Sequence, residues 1–427
     1  MKHRDDNARV VVTGMGVVCR LGQDLDSFWS GLRAGRSCVR QSPDLDPRIA
    51  AKIVADFGDF SLDDYFAAKK EEIPERYVTH IRRLVRGTPF GLRMSACAAL
   101  QAFLEADAER AIPRERAAHV CAGQNLSNAY GIQNLRAFRE HPDDIEPLFG
   151  ITALDTDTVV ALSELLDLRG PGTLVAGACA AGNLAIITAL DLIRCGRADL
   201  VLVTGAPLSF DSMLLHGTAL IDAVSYQSFN DTPERASRPF DRRREGFVPS
   251  ETAAALVLES LASARTRGAA IRAEILGGSS TSDACRLPKP HEDGQVRAIT
   301  GALADAGITA SEVDYVNAHA TSTQLGDAIE VSAIKQALGQ RAYEIPINST
   351  KSMIGHGVTS AGVVEMVATL LQMEHGIVHP TINQEDSDPA LDLDFVPNVA
   401  REYGMRTAVS NSFGFGGINS CVVVRKW

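Results

Sequence analysis

The chain has 427 residues, 45% hydrophobic and 22% charged, the composition of a folded globular protein and not of a disordered one. A formal net charge of −11 argues against a nucleic-acid-binding face, and no apolar run approaches the ~20 residues of a membrane span. The opening MKHRDDNARVVVTGMG carries Asp5 and Asp6 and meets a strand pattern at once, with no signal-peptide core, so the expected location is the cytoplasm. Eight scattered cysteines, without a C-x-x-C pair or a zinc spacing, describe neither a disulfide scaffold nor a metal finger.

In chain order, a strand at 9–12 leads into a turn holding Gly14 and Gly16, and helical patterns follow at 27–32 and 91–106. A strand at 119–123 enters the polar loop QNLSNAYG. Next comes a strand-helix-strand unit, with strands at 173–176 and 200–203 around a helix at 183–194, which favours a parallel sheet with covered faces. Residues 206–250, rich in Pro, Asp, Ser and Arg, predict an excursion over the surface, and a strand at 253–258 returns. The pattern then restarts. A strand at 273–277 precedes a polar loop at 278–294 and a helix at 295–306. Strands at 315–317 and 346–348 enter the loops of His319 and of STKSMIGHG, before a helix at 358–373. Strands at 407–410 and 419–424 flank NSFGFGG. The repeated order predicts an α/β protein of two related halves, 9–270 and 271–427, packed as one body.

Cys179 lies in TLVAGACAAGNLAII, where a strand ends, small residues turn and a helix begins. A thiol at a helix N-terminus is favoured as thiolate by the macrodipole and free N–H groups, the geometry of a nucleophile elbow. The segment alone equally suits a buried cysteine packed at a helix start. His319 follows a strand end amid small hydroxyl residues, and His356 sits between Gly355 and Gly357, five residues after Lys351. Taken singly, each suits a hydrogen-bonding or loop-surface role. Together they follow strand C-termini, where open α/β sheets gather ligands, and a Cys with two imidazoles suits acyl transfer. The GFGG loop could bring a backbone N–H to a developing oxyanion. Two arginine clusters, Arg82, Arg83 and Arg86, and Arg242 to Arg244, read equally as solvated faces or as docking patches for an acidic partner.

VAGACAAGN, VNAHATST with its trailing GDAIE, INSTKSMIGH and SNSFGFGGIN resemble, in order, the motifs of elongating β-ketoacyl-[acyl carrier protein] synthases, and RPFDRRREGFV matches a further stretch. The resemblance spans residues 9–424. It implies the thiolase-like fold, two βαβ-rich halves in five α-β-α-β-α layers, and a homodimer or a heterodimer with a related subunit. By resemblance Cys179 accepts the acyl chain from acyl carrier protein, while His319 and His356 promote decarboxylation of the malonyl group on a second carrier. Lys351, paired with Glu330, would support the histidines. The N–H groups of Cys179 and Phe415 would form the oxyanion hole, and Phe413 and Phe415 the gating loop. Arg82, Arg83 and Arg86 fall in the segment that meets the carrier protein. No cofactor is required, although Asn317, Glu365, Ser410 and Asn411 match positions that hold a structural monovalent or divalent cation in some relatives.

The chain departs from the family at PSETAA (249–254), at GVTSAG after His356, and in a longer 206–229 segment, which points toward a fatty-acid pathway less than toward a discrete polyketide or polyene one. Three neighbouring readings share the fold. The chain could be the active subunit of a ketosynthase/chain-length-factor pair. A coenzyme A-dependent thiolase would need a second cysteine, for which Cys421 is the candidate, and a silent chain-length subunit would lack Cys179.

Overall fold

The computed structural model describes residues 5–110, 113–286 and 289–427. In the first half β1 (Val10–Cys19), β2 (Ala117–Ala122), β3 (Gly172–Val175), β4 (Leu200–Gly205) and β5 (Thr252–Ser260) pair in the order β3-β2-β4-β5-β1. The helices that pack on them include α1 (Gly91–Glu105), α2 (Thr156–Leu166) and α3 (Ala181–Arg194). The second half repeats the plan with β6 (Ala273–Ser282), β7 (Tyr315–Asn317), β8 (Ile347–Asn348), β9 (Thr407–Gly414) and β10 (Ile418–Lys426), in the order β8-β7-β9-β10-β6. Its long helices are α4 (Glu292–Ala306), α5 (Gln324–Leu338) and α6 (Ala361–His375). In each half the first two pairings are parallel and the next two antiparallel. A short antiparallel contact, Val10 to Val12 against Ala273 to Ile275, joins the halves at one corner.

The layers follow from what each helix buries. α1 and α2 cover the outside of the first half-sheet, and α4 and α5 the outside of the second. α3 and α6 lie between the sheets. α6 is apolar around most of its circumference, with Val363, Val364, Met366, Val367, Leu370 and Leu371 all buried, as a helix covered on every side must be. The result is the expected thiolase-like α-β-α-β-α stack.

α3 and α6 touch backbone to backbone at their first turns. A Cβ on Gly182 would lie 2.6 Å from the Gly362 nitrogen, and one on Gly362 would lie 2.6 Å from the Asn183 nitrogen. That contact brings the two strand-turn-helix units of the halves face to face.

Four expectations need correction. Gly14 and Gly16 do not make a turn but sit inside β1, where a Cβ would lie 2.1 Å from the carbonyl oxygens of Ala102 and Ala98 on α1. Their purpose is close helix-sheet approach. Residues 278–282 are not loop, since they extend β6 along β10 despite their polarity. The helix expected over 358–373 begins as a 3₁₀ turn, Val358–Ser360, and becomes α only at Ala361. The 206–250 segment is not confined to the surface. It carries a helix, Ser212–Ala219, and its RPFDRRREGFV stretch buries Arg238, Asp241 and Arg244.

That stretch is a clamp. Asp241 accepts from Arg238 Nε (2.9 Å) and from the N–H groups of Glu385 and Asp386 (2.8 Å each). Arg244 donates to the carbonyl oxygens of Thr323 (3.1 Å) and Gln324 (2.9 Å) and to Asp388 (2.9 Å), tying down the loop after His319. Arg242 and Arg243 are exposed and pair with Asp386 and Glu385.

Candidate active site

A cavity of about 380 Å³ opens between the halves, with Cys179, His319, His356, Phe247, Phe413 and Phe415 in its wall. Cys179 occupies the middle of a 3₁₀ turn, Ala178–Ala180, two residues before α3 begins. The turn demands φ = +48° at Ala178, unusual for a side-chain-bearing residue. His319 follows β7, and His356 lies between β8 and α6. Sγ of Cys179 and one nitrogen from each ring lie within 4.8 Å of one another. The two rings meet edge to face, centroids 5.3 Å apart and 83° between planes.

The backbone fixes one tautomer. Val358 has φ = +52°, and its N–H donates to Nδ1 of His356 at 3.3 Å. A ring that accepts at Nδ1 carries its proton on Nε2, and that buried Nε2 has no partner among the described residues. His356 therefore keeps an N–H available as a donor. An S,N,N trio at this spacing resembles a zinc site, but a metal-bound imidazole needs an acceptor behind its other nitrogen, and here a donor stands there.

Burial and Lys351 set the electrostatics. Burial first, then the Lys351 charge, holds both His319 and His356 well below the usual imidazole range, so both rings are neutral near pH 7. Burial pushes the Cys179 thiol up to about 11, against lowering by Lys351 and by the N–H groups of Phe415 and Cys179 itself. The sequence predicts a favoured thiolate. The structure instead holds a resting thiol, because burial costs the thiolate more than these groups return. The same two N–H groups are the expected oxyanion-hole pair, and both face the sulfur.

Lys351 does not pair with Glu330. It pairs with Glu365 on α6, both side chains being buried between the sheets. Glu330, on α5, instead accepts the N–H groups of His319 (2.8 Å) and Ala320 (2.7 Å) and the amide of Asn411 (3.1 Å). It holds the backbone of the histidine loop, and burial raises its carboxyl to about 7 despite these donors. The four positions matched to a cation do not form one cage either. Asn317 donates to Glu365 (3.3 Å) and Ser410 (3.1 Å) on the inner face of the sheet, while Asn411 reaches Glu330 on the outer face. Successive strand residues point to opposite faces, which separates Ser410 from Asn411. Lys351 already meets the charge of Glu365, so these side chains do not fit a four-donor cation site.

Phe413 is buried 5.9 Å from His319, centroid to centroid, and Phe415 is 42% exposed on the turn beyond it. Phe247 meets both His356 (5.4 Å) and Phe415 (6.4 Å). The sequence places Phe247 in a matching motif but assigns it no role, since only the fold brings it to the ring. Arg82, Arg83 and Arg86 are exposed and lie outside the cavity wall; Arg82 pairs with Asp63 and Arg83 with Glu164. Cys421 is wholly buried in β10 and also outside that wall. It offers no second catalytic thiol to a thiolase reaction.

Residues 7–264 match the family model described as Beta-ketoacyl synthase, N-terminal domain, and residues 272–385 match the corresponding C-terminal domain. The chain belongs to the β-ketoacyl synthase family. It is 35% identical to 3-oxoacyl-[acyl-carrier-protein] synthase 2 of Coxiella burnetii over 99% of both chains. It is likewise 35% identical to the tetracenomycin polyketide synthase ketoacyl synthase alpha subunit of Streptomyces glaucescens, over 99% of this chain and 98% of the other. Among solved structures it superposes with a TM-score of 0.84 and 30% identity on one chain of a complex, covering 98% of this chain and 99% of that one. That structure is described as a type II polyketide synthase acyl-carrier protein in complex with its ketosynthase bound to the hexaketide. The family is one of acyltransferases, and its fatty-acid and polyketide branches both stand at similar distance from this chain. No described helix is long and apolar enough to cross a membrane.

Proposed function

We propose that the chain catalyses decarboxylative Claisen condensation between an acyl group on Cys179 and malonyl-[acyl carrier protein], without a cofactor. The reading is carried by one observation: a thiol and two neutral imidazoles within 4.8 Å at the base of a cavity, with two backbone N–H groups on the sulfur. Cys179 attacks the acyl thioester, its carbonyl oxygen taking charge opposite the N–H groups of Cys179 and Phe415. The thiol proton leaves with the carrier's sulfur, and an acyl-Cys thioester remains. Malonyl thioester then enters beside His319 and His356. Carbon dioxide departs, and the electron pair becomes an enolate whose oxygen faces the Nε2–H of His356 and the neutral His319 ring. Neutral donors suit this step, since they stabilise charge that appears only as the bond breaks. The enolate carbon attacks acyl-Cys, the β-ketoacyl chain leaves on the carrier, and the freed thiolate takes up a proton.

Intact-mass spectrometry with acyl carrier proteins of several chain lengths tests the assignment. The wild type should gain one acyl mass and Cys179→Ala none; equal labelling of the variant would end the proposal.

A partner subunit is supported by a different feature. β3 is an edge strand, α2 packs against it, and α2 together with the segment before it exposes Leu148, Ile151, Leu154 and Val160. We read this face as the seat of a second copy or of a related chain-length subunit, the latter favoured by likeness to a ketoacyl synthase alpha subunit. Native mass spectrometry of the chain alone separates the two: a stable dimer supports the former, a monomer the latter.

A further inference from the structure

The turn under Cys179 holds an alanine in the left-handed region, and something must keep it there. Ala178 has φ = +48°, a conformation that costs an L-residue enough to favour relaxation by about tenfold or more when nothing opposes it. Neighbours close two sides. A Cβ on Gly177 would lie 2.5 Å from Leu184 Cδ1, and one on Gly414 would lie 2.9 Å from the Gly177 oxygen, so the turn is pressed between α3 and the GFGG hairpin. The N–H of Ala178 itself points elsewhere, to Oε1 of Gln124, which accepts it at 2.9 Å.

Gln124 belongs to the polar loop after β2, and that loop is itself clamped. The Gly123 N–H donates to the Val175 oxygen (3.1 Å), and both carboxylate oxygens of Asp155 accept from the loop, from the N–H groups of Asn125 (2.6 Å) and Leu126 (2.8 Å). Asn125 takes φ = +53°, which turns the chain so that the Gln124 side chain faces the nucleophile turn.

We propose that Gln124 is a positioning residue for Cys179: its amide oxygen holds the strained Ala178 peptide, and through it the Cys179 N–H, in the orientation that acyl transfer needs. The proposal rests on Cys179 being the acyl acceptor. Loss of the acceptor lets Ala178 relax toward negative φ, and rotation of the following peptide takes the Cys179 N–H off the oxyanion position. Glycine at 178 has no such strain to relieve and removes the need for the pin.

The rate of acyl-enzyme formation, followed by intact mass with an acyl carrier protein thioester, tests this through epistasis. Gln124→Leu, similar in volume but without an acceptor, should acylate about tenfold more slowly. Gln124→Glu keeps an oxygen at the same reach and should stay within about twofold of the wild type. Gln124→Leu combined with Ala178→Gly should recover to within about twofold. A lost hydrogen bond with merely structural effect would not be rescued at 178. Wild-type rates for Gln124→Leu, or a double variant as slow as the single one, would overturn the role of Gln124 while leaving the condensation reaction standing. A wild type that never acylates would remove both.

Discussion

The turns carrying Cys179 and His356 occupy equivalent places in the two halves, yet they do opposite work. Each follows a parallel strand, passes a side-chain-bearing residue at positive φ (Ala178, Val358), winds through a 3₁₀ turn and enters a helix between the sheets. In the first half only residues 176–177 separate strand from turn. In the second, residues 349–357 intervene and bring Lys351 and His356. The first turn aims a thiol and its own N–H groups. The second uses the strained N–H of Val358 to set a histidine tautomer. One backbone device thus serves nucleophile and donor, and the inserted residues decide which. The loops one strand inward correspond too, with Gln124 and His319 each two residues beyond the strand end.

The comparison depends first on the Gly182–Gly362 contact. Gly362→Val would force its side chain into the Asn183 backbone, and a loss of stability of about 4 kcal/mol or more is expected, read by chemical denaturation. An unchanged midpoint would mean the two turns do not depend on that contact. Next come the separate tasks of the turns. His356→Ala and His319→Ala should still take an acyl mass on Cys179, while carbon dioxide release from malonyl-carrier protein falls by roughly 10²–10³-fold. Normal release from both variants would refute a donor role.

Glu330 sharpens the second turn. Its folded carboxyl lies near 7, above its ordinary 4.5, so stability is fully present below pH 4.5 and is lost as pH rises through 7. Glu330→Gln should remove that decline, on the order of 3 kcal/mol across the window. Lys351→Met should act on the rings. The Lys351 charge helps hold both imidazoles down, so its removal raises them and moves the acid limb of decarboxylation to higher pH. A limb that stays in place would assign the lowering to burial alone. The smallest effect concerns neither turn. Reversing Arg82 and Arg83 to Glu should raise the KM for carrier-bound substrate a few-fold, with unchanged reactivity toward small thioesters, because exposed and locally paired charges contribute weakly. An unchanged KM would leave them a solvated face.

Much of this was legible in the sequence. Strand ends, small-residue turns and the spacing of Cys179, His319 and His356 mark the site because local chain geometry makes it. The repeated element order gives the two halves. Partnerships across the fold were not legible. Glu330 lies eleven residues from His319 and does hold that loop, but Lys351 finds Glu365, one α6 turn facing it across the interior. Gly14 and Gly16 look like a turn until the helix that presses on them is known. The polar run 278–282 looks like loop because its strand partner, β10, lies more than a hundred residues away. The helices Glu75–Leu84 and Asn128–Glu140 escaped because few of their side chains are buried, Tyr77, Val78 and Ile81 in the first and Tyr130 and Asn134 in the second.

The meeting of α3 and α6 at two glycines also places two like poles side by side. Each helix presents the positive end of its dipole at that contact, and only the absence of two β-carbons lets them come so near. Such poles repel side by side, and each adds to the positive field of the other at the cavity floor. An oxyanion or an enolate formed there is stabilised by it. The backbone thus adds its own share to the stabilisation of those intermediates, against the desolvation that keeps the resting thiol neutral.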